Sequence, residues 1–169
     1  TLCDGAADQP ELPGIEVVQI LERANVPFVG AVSNAYEPTR ERMKEACRAR
    51  GIATPASVTA RDDRDLERAA ETLRFPLFVK HHNSYASVDL SRRSKACSPG
   101  GLRIQGRKMI SRHGAALVEE YVDGDECTVL VVENPENPER PIVYPPIQYR
   151  FPAGERFKHE DLKWVEYDE

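Results

Sequence analysis

The stretch Leu117-Val118-Glu119-Glu120-Tyr121-Val122-Asp123-Gly124-Asp125-Glu126-Cys127-Thr128-Val129 joins two apolar runs through a turn tripeptide and carries three glutamates. Asp123-Gly124-Asp125 is hairpin-turn chemistry, so Ala116 to Val122 and Cys127 to Val132 are expected as paired strands. Side chains alternate along a strand, which sends Glu119 and Tyr121 to one face and Glu120 and Val122 to the other. One of the two glutamates then faces inward. A buried carboxylate needs a partner, either a lysine from a nearby strand or the exocyclic amine of an adenine. The backbone at Tyr121 and Val122 can offer an amide and a carbonyl to a purine edge, and Glu126 can accept two hydroxyl hydrogen bonds from one ribose. An ordinary amphipathic hairpin with solvated glutamates accounts for the same residues equally well.

Upstream, Phe75-Pro76-Leu77-Phe78-Val79-Lys80 reads as a buried strand ending in a cation, preceded by a helix with Leu66, Ala69, Ala70 and Leu73 at helical spacing and Asp62 or Asp63 as its cap. Lys80, followed by a polar loop from His81 to Gly101, can aim an ammonium at a phosphate. Strand-end lysines in solvent are nonetheless common. A helix over Leu102 to Ser111 contains Gly106, which weakens it by about 1 kcal/mol relative to alanine. Nearer the start, Ile15 to Glu22 has a one-sided apolar pattern, Val26 to Gly30 reads as a short strand, and a second helix is expected from Arg40 to Arg50, closed by Gly51. Ile52 to Val58 reads as extended, interrupted by Pro55. Downstream, Ile142–Tyr144 and Ile147–Tyr149 form a strand region broken at Pro145-Pro146. The run Phe157-Lys158-His159-Glu160-Asp161-Leu162-Lys163-Trp164 has the charge of a solvated loop, yet two aromatics suited to pinning it down. Lys163 can then reach a phosphate already met by Lys80, two cations opposing the charge of a transferred phosphoryl group. Alternating helices and strands place the chain in the α/β or α+β classes.

With 169 residues, 40% hydrophobic and 30% charged, the chain is sized for one domain or two small lobes. A net charge of −5 argues against non-specific binding to nucleic acid or an anionic membrane, so any polyanion needs a local basic pocket. No run approaches the roughly 20 apolar residues of a membrane helix, and no leader is visible, which gives a cytoplasmic expectation. Cys3, Cys47, Cys97 and Cys127 lack CxxC spacing and are expected as core thiols. The four histidines, including His81-His82, form no metal motif, so no metal ligand is assigned.

The order strand-ending Lys80, long loop, helix, Glu-Glu-Tyr-Val segment with a second glutamate, and aromatic Lys-Trp loop resembles the ATP-grasp superfamily, and within it the D-alanine–D-alanine ligase family. The likeness extends to Asp4-Gly5, Val26-Pro27-Phe28-Val29-Gly30-Ala31, Thr39-Arg40-Glu41-Arg42-Met43-Lys44 and Gly51-Ile52-Ala53-Thr54-Pro55. It implies an α+β fold, a partial ATP-grasp: 1–36 closes a preceding α/β domain, 37–115 is the small ATP-grasp subdomain and 116–169 begins the large one. It implies that Lys80 contacts ATP phosphates, that Glu119, Glu120 and the Tyr121-Val122 backbone surround adenine, and that Glu126 holds the ribose. Lys163 and Trp164 correspond to the loop that closes over nucleotide, and Ser87 falls in the family's serine-rich loop, with Lys163 and Ser87 as the catalytic candidates. Arg40 stands where the family has a phosphate-binding lysine, with Lys44 as a substitute; Tyr85 and Ala86 replace smaller or hydroxyl-bearing residues. The implied chemistry joins a small carboxylate to an amine, amino acids by expectation, through an acyl phosphate, using ATP and Mg2+ whose ligands are expected beyond Glu169. Glu166, Asp168 and Glu169 are weak substitutes for those ligands. The chain is thus expected to be the middle of a longer ligase, with a homodimer among the expectations. The competing class is a module that holds ATP or ADP without catalysis. A protein kinase is excluded by the lack of a GxGxxG before Lys80 and of HRD or DFG after it.

Overall fold

A computed structural model describes residues 14–164 of the chain. Cys3, Asp4-Gly5, Glu166, Asp168 and Glu169 lie outside the described residues. The chain divides into two compact units, one formed by residues 1–54 with 82–84 and the other by 55–81 with 85–169.

In the first unit, α1 (Ile15–Arg23) and α2 (Arg40–Arg48) are the helices. Thr39 caps α2 by accepting from the Arg42 N–H at 3.2 Å. Past its end, Gly51 takes φ +69°, which lets the Ile52 N–H return to the Cys47 carbonyl at 2.9 Å. The strand expected at Val26–Gly30 does not form. The Val26 N–H is taken by the Leu21 carbonyl, closing α1, and Val29 is exposed.

The second unit is built on a four-stranded antiparallel sheet, in the order β1 (Ser57–Ala60), β4 (Ala116–Glu120), β2 (Leu77–His81), β3 (Lys95–Ala96). Because β1 and β2 each run antiparallel to β4, they are parallel to one another, with β4 inserted between them. Extended pairing thus begins at Ser57, beyond Pro55, whose ring offers no ladder N–H. Helices α3 (Asp63–Thr72) and α4 (Pro99–His113) cover one face. The core there joins Leu66 and Ala69 of α3 and Leu102 and Met109 of α4 to Ala60, Leu77, Val79, Ala116 and Val118 of the strands. Asp62 caps α3, accepting from the Asp65 N–H at 2.9 Å. Ser98 caps α4 with Pro99 in its first turn, so this helix begins three residues before Leu102. The long polar loop therefore contains β3 and the start of a helix.

The expected hairpin between Ala116–Val122 and Cys127–Val132 is replaced by a different pairing. β4 has β1 on one edge and β2 on the other, so neither edge can receive a returning strand. Asp123-Gly124-Asp125 instead redirects the chain into a separate ribbon. There β5 (Cys127–Thr128) pairs with β8 (Ile147–Gln148), and β6 (Val131–Val132) with β7 (Ile142–Val143). Between the two ladders the outgoing segment advances from 128 to 131 and the return from 143 to 147, so one extra residue bulges at Pro145-Pro146. Cys97, just past edge strand β3, and Cys127, on the thin ribbon, are exposed rather than core thiols. The charged tail segment folds into α5 (Glu160–Trp164). Among the described residues, no helix is long and apolar enough to cross a membrane.

Gly106 reverses the expectation drawn from helix propensity. A Cβ built on it would lie 2.4 Å from Leu66 Cδ2 and 2.8 Å from Leu66 Cδ1, inside the α3–α4 contact. Propensity favours alanine by about 1 kcal/mol, but forcing a methyl into a packed core costs about 1–3 kcal/mol. Gly106→Ala is therefore expected to destabilise the protein by about 1 kcal/mol. A urea midpoint equal to or above that of the parent would contradict the contact.

Candidate functional site

Alternation along β2 turns Leu77 and Val79 into the core and places Phe78 and Lys80 on the opposite face. In the register, Phe78 faces Glu119 and Lys80 faces Leu117, which makes Lys80 and Glu119 diagonal neighbours on that face. Glu119 is the buried glutamate of the pair, and its carboxylate forms an ion pair with the Lys80 ammonium. Glu120 points elsewhere. It receives the Arg74 backbone N–H at 3.0 Å and Arg74 Nη2 at 3.0 Å, and the side-chain hydrogen bond from Arg74 chiefly holds its carboxyl below the usual range.

The same face carries Lys95, paired with Phe78 across β2–β3, its Nζ 3.8 Å from the centre of the Tyr121 ring. The Tyr121 N–H is bound to the Pro76 carbonyl at 2.9 Å, so this amide is committed to the sheet; Val122 beyond it is 68% exposed. Phe157 meets Phe78 edge-on at 4.9 Å. The next residue, Lys158, donates its N–H to Glu126 Oε2 at 3.4 Å and lays its Nζ 4.6 Å from the Tyr149 ring. On the face of β2 that bears Lys80 and Phe78, Phe157 thus packs against Phe78, and the neighbouring Lys158 N–H reaches Glu126. Arg40 and Lys44 stand in the first turns of α2 in the other unit, where the Arg40 guanidinium donates to the Ser84 carbonyl.

The loop 85–90 and the segment 157–164 are tied together at several points. Ser87 Oγ donates to the Lys158 carbonyl at 2.9 Å, Trp164 Nε1 to the Ala86 carbonyl at 3.2 Å, and the Asp89 N–H to Glu160 Oε2 at 3.0 Å. Phe157 and Trp164 therefore do pin their segment. The Lys163 ammonium lies 5.2 Å from the centre of the Trp164 ring. Ala86, Ser87 and Asp89 hold φ of 60°, 62° and 55°, a left-handed geometry that costs about 1–2 kcal/mol per non-glycine residue. Such a loop persists only when its surroundings impose it. Asp89 supplies much of that constraint by accepting from His113 Nε2 at 2.7 Å, Lys108 Nζ at 3.0 Å and the Arg112 guanidinium. Burial pushes its carboxyl up, but the hydrogen bonds from His113 and Lys108 and the charges of Lys108 and Arg112 outweigh that and hold it below the usual range.

Glu155 is gripped by Arg92 and by His159 Nε2, the latter at 3.1 Å. Its carboxyl is lowered first by the Arg92 hydrogen bond, against burial, with His159 adding to the effect. Lys95, Phe78, Lys158, Asp89 and His159 were not candidates from the sequence. The available signals were the alternation through Phe78 and the basic i, i+4 pair Lys108 and Arg112, and neither names a partner.

No protein-family model matches the chain. It is 29% identical over 152 residues to the D-alanine–D-alanine ligase of Pseudomonas fluorescens, covering 88% of this chain and 43% of that protein. It superposes on the D-alanyl-alanine synthetase A of Vibrio cholerae with a TM-score of 0.68 at 17% identity, over 89% of this chain and 45% of that one. The biotin carboxylase domain of the Hydrogenobacter thermophilus 2-oxoglutarate carboxylase, a complex with ADP and magnesium, gives a TM-score of 0.61 at 15% identity, over 76% of this chain and 30% of that one. The chain spans less than half the length of each of these relatives. In fold it is a partial ATP-grasp protein, and in sequence and fold together it is D-alanine–D-alanine ligase-like.

Proposed function

We propose that this chain is the nucleotide-holding part of an ATP-dependent ligase that joins a small carboxylate to an amine, with amino acids as the substrate class. The observation that carries the reading is the Lys80–Glu119 ion pair on the face of β2 where Phe157 packs against Phe78, with the Lys158 N–H beside it donating to Glu126. ATP supplies a phosphoryl group that converts the carboxylate to an acyl phosphate, which the amine attacks with release of phosphate. The donor set suits such a ligand: cations for polyphosphate at Lys80 and Lys95, flat apolar surface at Phe78 and Tyr121, and a carboxylate for ribose hydroxyls at Glu126. Glu119 holds the Lys80 ammonium in place through their ion pair. Arg40, Lys44 and Lys163 are proposed as further phosphate cations, and Ser87 as a substrate-side residue. The division into 1–36, 37–115 and 116–169, a homodimeric state and a cytoplasmic setting belong to the same proposal.

Among the described residues no group of three or more His, Cys, Asp or Glu converges, and no step is assigned to magnesium.

Calorimetric titration of ATP tests the site. Glu126→Ala is expected to weaken ATP binding at least about tenfold, the loss of about one charge-assisted hydrogen bond, while leaving inorganic triphosphate binding unchanged. A Lys80→Met/Glu119→Gln double variant should weaken both ligands at least about tenfold. Parent-like ATP affinity in both variants would remove the assignment.

A further inference from the structure

We propose that His159 is a positioning residue, a proton-sensitive cap that holds α5, and with it Lys163 and Trp164, against the loop 86–90 when neutral and releases it when protonated. His159 directly precedes α5 and is fully buried. Its Nδ1 accepts the Leu162 N–H at 3.3 Å, the bond that an N-cap side chain makes to the third helical residue. A backbone N–H can only donate, so Nδ1 must carry its lone pair, and the proton of the neutral ring sits on Nε2, facing Glu155 Oε2. Both ring nitrogens are thereby assigned. A second proton can enter only at Nδ1, where it would set two donors, Nδ1–H and the Leu162 N–H, against each other. The cap is then lost, while the Nε2–H bond to Glu155 survives.

The charges around the ring agree with this sign. Glu155, held ionised by Arg92, remains an acceptor for the Nε2–H in either state of the ring. On its own helix His159 has Glu160, Asp161 and Lys163. Glu160 reaches the Asp89 N–H, behind which stand Lys108, Arg112 and His113. Protonating His113 strengthens its pair with Asp89, so this second histidine acts in the opposite sense and cannot account for release in acid.

The consequence for phosphate contact rests on the proposed role of Lys163; the cap itself does not. Trp164 is the chain's one tryptophan, and its Nε1–H is bonded to the Ala86 carbonyl. The ring is 64% exposed, so the indole N–H resonance is a better readout than emission colour. In the 169-residue chain labelled with 15N, titration from about pH 8 to about pH 5, where imidazoles change charge, should move that resonance upfield in step with protonation of His159 at Nδ1. Far-UV ellipticity should stay constant. His159→Asn, which keeps a capping oxygen and cannot titrate, should hold the resonance fixed, whereas His113→Gln should still show the shift. A flat wild-type resonance, the same shift in His159→Asn, or an Nδ1–H tautomer of His159 at about pH 8 would each overturn the proposal. The tautomer measurement needs no variant and decides the matter even if His159→Asn misfolds. ATP titrations at both ends of the range add the functional arm, with the wild type expected to lose several-fold more affinity in acid than His159→Asn. If the Lys80 double variant leaves ATP binding intact, the nucleotide site fails while the indole signal still decides the cap.

Discussion

Lys80→Met is expected to lower the unfolding free energy by about 3 kcal/mol, because it leaves the Glu119 carboxylate buried without its ammonium. Lys80 and Glu119 sit on adjacent strands in the middle of the sheet, and the Glu119 carboxylate, the more deeply buried of the two, cannot swing into water without breaking the β2–β4 ladder. Glu119→Gln should cost less, since a buried neutral amide carries no charge to desolvate and Lys80, one-fifth exposed, can reach solvent. The double variant Lys80→Met/Glu119→Gln is expected to recover to within about 1 kcal/mol of the parent. Denaturant unfolding of the four proteins forms a double-mutant cycle with a large coupling term. Additive losses would mean that the two groups do not meet, and with that the basis for a cation aimed at phosphate would go.

Asp89→Asn should cost about 2 kcal/mol through lost charge-assisted hydrogen bonds. Asparagine tolerates positive φ, so the substitution separates charge from backbone geometry. What remains is Lys108, Arg112 and His113 converging on a neutral amide. The pH dependence has a defined sign. A carboxyl whose folded value is depressed adds stability that is complete above its unfolded value, about 3.9, and that fades as pH falls through the lower folded value. The gap between parent and Asp89→Asn should therefore be full at neutral pH and close below about pH 4. The loop 85–90 should loosen with it, raising proteolysis near Ser87. A gap that widened in acid would contradict the pairing.

Much of the α+β framework was legible in the residues. Thr39, Asp62 and Gly51 mark helix ends through local capping chemistry, and strand alternation alone implied that one of Glu119 and Glu120 is buried. The misread hairpin shows the limit. Asp123-Gly124-Asp125 has the chemistry of a tight turn, but a turn makes a hairpin only where a strand edge is free. β4 has both edges filled by Ser57–Ala60 and Leu77–His81, segments tens of residues earlier in the chain. Gly106 shows it again: propensity sees one helix, whereas the contact that matters comes from Leu66 on another.

The amino-acid sequence by itself determined most of the longer helices and the strands β2 and β4, where α2 and α3 start, and the order of the charged residues that carries the family likeness. Those features depend on interactions within about one turn of helix or one step of strand. Only the tertiary structure decided that Glu119 meets Lys80, that Glu120 turns to Arg74, and that Asp89 and His159 hold the loop and helix bearing Ser87 and Lys163. Each of those pairings, the local His159 cap apart, joins residues far apart in the chain, and even that cap bears on function only because α5 docks on a loop some seventy residues earlier. Such contacts are selected by which edges, faces and charges remain unsatisfied once the sheet has closed.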